Sequence, residues 1–155
     1  MRWMQRPRIW RPGPDPTDGQ VPWSDMLACV TASLGWLCPR PWLRRWAQHR
    51  NVVVRNEVAS NPWCPPEALL RLVHDGDSVV ASNAVGNRGC PKEAFTQALH
   101  SQHWSVCYAA ANNPNCPPDT LVQALNSSDS GIAQTAAENP ALPDEYRELY
   151  KVARS

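Results

Sequence analysis

The chain has no long apolar run: the longest, Met26 to Cys38, covers 13 residues and contains Thr31, Ser33 and Gly35. A membrane-spanning helix needs about 20. A buried helix is therefore expected for this stretch, and no membrane partner is expected. No secretory signal is expected either, because Arg6, Arg8, Arg11 and several prolines interrupt any apolar core near the basic N-terminus. None of the six cysteines forms a C-x-x-C pair. Zinc and iron–sulfur sites usually draw their ligands from such pairs. Nor does the pattern place a serine or cysteine nucleophile beside a base. These absences argue against a membrane protein, a metalloprotein and an enzyme. They leave a cytoplasmic protein expected to have no cofactor and no catalytic or metal-binding residues.

What the chain does have is a period. Cys38, Cys64, Cys90 and Cys116 are spaced 26 residues apart, and each is followed by proline. Leu142-Pro143 is a fifth copy on the same spacing. Asn61, Asn87, Asn113 and Asn139 recur with the same period, and three of them precede proline. A fixed period of this size marks a protein of stacked repeats. The repeats align without a gap as Cys38–Trp63, Cys64–Gly89, Cys90–Asn115 and Cys116–Ala141, with a truncated fifth from Leu142. The chain thus divides into a Pro/Arg/Trp-rich arm expected to be mobile (1–22), a capping helix (23–37) and a solenoid (38–155). A terminal cap is expected of the last copy, with Tyr146, Leu149 and Tyr150 in a shifted apolar pattern and Glu148 and Lys151 outward, which favours a complete protein.

Each unit carries two helical pieces. In the second unit Pro65 and Pro66 suit a first turn, where a missing N–H costs nothing. Glu67 follows, and Glu93, Asp119 and Glu145 hold its place later, where the helix dipole favours negative charge. Leu69, Leu72 and Val73 form one helical face, matched by Phe95, Ala98, Leu99 and by Leu121, Ala124, Leu125. After a polar turn comes a second, shorter segment. Its predicted buried columns are Val54, Val80, Val106, Ile132, then Val58, Ala84, Ala110, Ala136, then Ala59, Val85, Ala111, Ala137. The helix stops at the asparagine column, where proline bars its continuation.

The pattern V-x-x-x-V-A-x-N-P-x-x-P-x-x-x-L is carried by Val54, Val58, Ala59, Asn61, Pro62, Pro65 and Leu69. It resembles the variant leucine-rich repeat, and Asn113-Pro114 to Pro118 and Asn139-Pro140 to Pro143 are similar. The resemblance covers about residues 50–150. It implies an all-α, right-handed solenoid of about four and a half two-helix units, each pairing an α-helix with a short second helix, α or 3₁₀. It also implies protein contacts rather than a shared enzymatic activity. The unit here is 26 residues rather than the common 24 or so, the third has Asn87-Arg88, and Arg55 is the one arginine at its place in the second helix. Some relatives carry a cysteine cluster for an iron–sulfur centre ahead of the repeats, but here only Cys29 lies outside the repeated units on that side.

The periodic side chains have a packing explanation. Neighbouring helical repeats stack about 10 Å apart, while a disulfide needs Cα atoms within about 7 Å. The ladder Cys38, Cys64, Cys90, Cys116 should therefore stay reduced and buried, as Leu142 at the fifth place suggests. The ladder Asn61, Asn87, Asn113, Asn139 should bond to nearby backbone at each turn. Binding candidates are then the exposed turn residues His74, Asp75, Asp77, Gln102, His103, Ser128 and Asp129, with the basic residues Arg40, Arg44, Arg45 and Arg50.

Charge is uneven. Residues 1–57 hold nine arginines and four carboxylates, residues 58–155 six basic and ten acidic residues, and six of the eight tryptophans lie in the first part. The leading expectation is a monomeric protein–protein interaction scaffold. The alternative is nucleic-acid binding through the basic, tryptophan-rich N-terminal third.

Overall fold

The computed structural model describes residues 40–154. The expected arm (1–22), the capping helix (23–37) and Cys38 lie outside the described residues. Helices follow in the order α1 (Arg40–Trp46), α2 (Val52–Ser60), α3 (Pro66–Leu72), α4 (Ser78–Gly86), α5 (Lys92–Leu99), α6 (Trp104–Asn112), α7 (Pro118–Leu125), α8 (Ser130–Glu138) and α9 (Asp144–Ala153). There is no strand among the described residues. Odd-numbered helices are the first of each unit and even-numbered ones the second.

The prolines set where the first helices begin. Pro65, Pro91, Pro117 and Pro143 are N-caps with φ between −60° and −69°. Proline's ring holds that angle without cost. The second helices begin on side-chain caps. Asn51 accepts from the Val53 N–H, Asp77 from those of Val79 and Val80, and Asp129 from those of Gly131 and Ile132. His103, in the same column, makes no such side-chain bond.

The second helices are α-helical, not 3₁₀-like, and their nine residues exceed the seven or eight of α1, α3, α5 and α7. Two features explain why they are neither 3₁₀ nor short. Side-chain caps open three of them, and alanine, the best helix former, fills α6 and α8.

All three expected columns of the second helices are buried, as are Leu69, Leu72, Val73, Phe95, Ala98, Leu121 and Ala124 on the first. Small residues in the second and third columns let α2, α4, α6 and α8 lie directly against one another. The first helices of successive units are further apart. The closely packed second-helix layer is called the inner side here.

The asparagine column joins the units. Its side chains are buried. Each Oδ1 accepts the N–H two residues on, from Trp63, Gly89, Asn115 or Ala141, at 2.8–2.9 Å. That is the expected local bond. The Nδ2 donors reach the preceding unit, which the sequence reading did not anticipate. Asn87 donates to the Ala59 and Asn61 carbonyls at 2.8 and 2.9 Å. Asn113 donates to those of Val85 and Asn87 at 2.7 and 3.2 Å. Asn139 donates to those of Ala111 and Asn113 at 2.6 and 3.0 Å.

The last pair of carbonyls meets an arginine instead. Arg147 Nε donates to Ala137 O and Nη2 to Asn139 O, both at 3.1 Å, with Nη2 also on Leu142 O at 3.1 Å. Its Nη1 pairs with Asp144. The expected cap is therefore present only in part. Arg147 closes the ladder and Glu148 and Lys151 pair outside, but Tyr146, Leu149 and Val152 leave an exposed apolar side on α9. Arg147→Ala should lower unfolding free energy by about 1–3 kcal/mol in urea titrations, because it strands buried carbonyls. Arg147→Lys should recover less than half, since an ammonium lacks the planar fork.

Candidate binding surface

The turns between first and second helices hold most of the expected contact residues. His74, Gln102, His103 and Ser128 are exposed there. Asp77 and Asp129 are half-buried and engaged as helix caps. The Ile132 N–H and the Trp104 indole N–H hold the Asp129 carboxyl below its ordinary range.

Asp75 is a correction. Its side chain is only 8% exposed and takes the Arg55 guanidinium in a fork, at 2.6 and 2.9 Å. It also accepts the Asp77 N–H at 3.0 Å. Arg55 in turn donates to the His49 and Arg50 carbonyls at 2.9 and 3.2 Å. This pair ties the second helix of the first unit to the turn of the next and leaves little of Asp75 for a partner. Burial raises the Asp75 pKa, but the Arg55 and Asp77 hydrogen bonds outweigh it and hold the carboxyl below normal.

Arg40, Arg44, Arg45 and Arg50 are all exposed, as expected. Arg44 is engaged with Glu67 of the next unit. The tryptophans among them face inward. Trp46 is buried, and Trp42 is half-buried with its ring centroid 5.9 Å from that of Trp46.

Cys64, Cys90 and Cys116 are free, buried thiols, and Leu142 is buried at the fifth place. Burial pushes each of the three thiols up to about 12, with the Glu67 charge adding at Cys64 and Cys90 at Cys116. A thiol so shifted is a poor nucleophile and a poor metal ligand. Among the described residues no three His, Cys, Asp or Glu side chains converge as metal ligands would. Cys107, outside the ladder, donates to the Ala98, Leu99 and Ser101 carbonyls at 3.3–3.4 Å and so caps the end of α5.

The inner, second-helix face was not anticipated as a contact surface. Helices α4, α6 and α8 carry a single charge, Glu138. Val53 and Val79 stand exposed at equivalent places. Asn83 donates to Asn56 across two units at 2.7 Å. Trp104 and Tyr108 stack with centroids 4.9 Å apart and planes at 22°, and remain 53% and 37% exposed. The available signal was a break in pattern. Ser78, Ser82, Ser130 and Gln134 hold the places of Trp104 and Tyr108 in the adjacent units.

With the fold in view, the comparisons agree. Residues 52–77 match the family model of the leucine rich repeat variant, from the second helix of the first unit through the turn of the next. The described residues form a helical repeat protein, and this one stretch is similar to the variant leucine-rich repeat. No curated protein and no solved structure matches it.

Asp75→Asn should cost about 2 kcal/mol at pH 7, since it leaves a half-buried guanidinium without its anion. Because the folded pKa of Asp75 is depressed, its contribution is present above the unfolded value near 4 and fades as pH falls through the folded one. Urea titrations from pH 7 to pH 2 should therefore show the gap between wild type and Asp75→Asn closing on the acid side.

Proposed function

We propose that the protein is a non-enzymatic binding module, a cytoplasmic scaffold for a protein partner, and that the partner lies along the inner second-helix face. The observation that carries this reading is the exposed Trp104–Tyr108 stack on α6, with Val79 exposed on α4, both helices without a charged residue, and Val53 exposed on α2. Aromatic side chains on a rigid backbone give large contact area at small entropic cost. The ladder and the packed columns beneath supply the rigidity.

The alternative is nucleic-acid binding at the N-terminal end. The exposure of Arg40, Arg45 and Arg50 favours it. The inward packing of Trp46 and the pairing of Arg44 with Glu67 weaken it, because stacking on bases needs free rings and phosphate needs free cations.

An affinity capture from lysate, nuclease-treated and at high salt, separates the two. Wild type should retain a protein that Val53→Asp/Val79→Asp loses and that Arg40→Ser/Arg45→Ser/Arg50→Ser keeps. Retention that disappears on nuclease treatment, or on the arginine changes alone, would overturn the inner-face reading.

A further inference from the structure

Trp104 and Tyr108 rise from a trough of small residues. Ser78 and Ser82 flank them from the second unit, Ser130 and Gln134 from the fourth. The indole leans toward the fourth unit, its Cζ2 about 4.0 Å from where a Cβ on Gly131 would stand. There it stands near Asp129, a half-buried carboxylate whose charged form is favoured by the Ile132 backbone N–H and the indole N–H. Asp77 holds the same cap position in the second unit. Helices α4, α6 and α8 contribute no basic side chain, and exposed His103 holds the cap position between the two aspartates. The basic residues beyond α8 are otherwise engaged: Lys151 pairs with Glu148 and Arg154 lies over Tyr150.

A flat aromatic pair beside a carboxylate suits a planar cation. A guanidinium stacks on the ring face and offers its edge to the anion, which a compact ammonium does poorly. The same carboxylate repels phosphate, which argues against a nucleic acid on this face. We propose that the Trp104–Tyr108 stack, with Asp129, receives an arginine side chain from an extended peptide segment of the partner protein. The inference rests on the inner-face reading above and names its chemistry. The small neighbours on both sides leave room for an extended chain to cross from the second unit to the fourth.

The test uses the full-length chain and a fluorescently labelled peptide of repeated Ser-Pro-Arg, read by anisotropy, beside Ser-Pro-Lys and Ser-Pro-Glu versions. The arginine peptide should bind saturably and more tightly than the lysine one, and the glutamate peptide should not bind. Trp104→Ser/Tyr108→Ser installs the residues of the second unit and should weaken binding about tenfold. Asp129→Asn keeps the helix cap while removing the charge, and should weaken it about threefold. Thermal unfolding of each variant checks that the fold is kept. Equal binding by the lysine peptide, unchanged binding in the aromatic double variant, or no saturable binding would each overturn the proposal. The inner-face reading fails separately, when captured protein is indifferent to Val53→Asp/Val79→Asp.

Discussion

The structure depends on one polar contact repeated at each step: a buried asparagine amide donating to two carbonyls of the unit before. Those carbonyls sit where a second helix ends, and a helix end leaves its last carbonyls without intrahelical partners. Buried carbonyls left unpaired are costly. The Asn61, Asn87 and Asn113 carbonyls each also accept the N–H of the cysteine three residues on. Each asparagine therefore ends its own helix, shapes its own turn and satisfies its neighbour's terminus. Proline follows three of the four and bars continuation there, and the Cys-Pro or Leu-Pro step opens the next first helix. Packing columns alone fix spacing only loosely, because apolar contact is not directional. The ladder adds direction and register.

The ladder also organises the surface. It runs along the C-terminal edge of the second helices, and small residues in their columns bring those helices together. That layer is the inner side of the stack, and its exposed positions line up at a constant interval. On most of it the outward residues are serine, asparagine or valine, which is why a stacked Trp104 and Tyr108 on one helix stand out. The end of the ladder follows from the same logic. A guanidinium with several donors in one plane does at Ala137 and Asn139 what a further asparagine would have done.

Much of this was legible before any coordinates, because a repeat reads its own sequence several times. A chance valine at position 54 means little, but Val54, Val80, Val106 and Ile132 in register define a column. The local half of the asparagine chemistry was legible for the same reason. What escaped were contacts between residues that share no place in the unit. Arg55 and Asp75 are 20 residues apart and meet only through the stacking of two units, so Asp75 read as a free turn residue. Arg147 has no counterpart on the period that would mark it as a ladder member. The second segments stood open between α- and 3₁₀-helix in the sequence, and the caps at Asn51, Asp77 and Asp129 favour the full α-helix. The column 51, 77, 103, 129 was readable in the chain and would have shown it.

The central claim is that the asparagine amide bonds between units, and not only at its own turn. Asn113→Asp isolates it, because the carboxylate keeps the acceptor for the Asn115 N–H and replaces the donor to Val85 and Asn87 with an oxygen. Equilibrium unfolding in urea at pH 7 is the measurement. A loss of about 2–4 kcal/mol is predicted, with the Val85 carbonyl losing its donor and a buried anion set against both acceptors. A variant within about 0.5 kcal/mol of wild type, the range of an ordinary surface change, would contradict it.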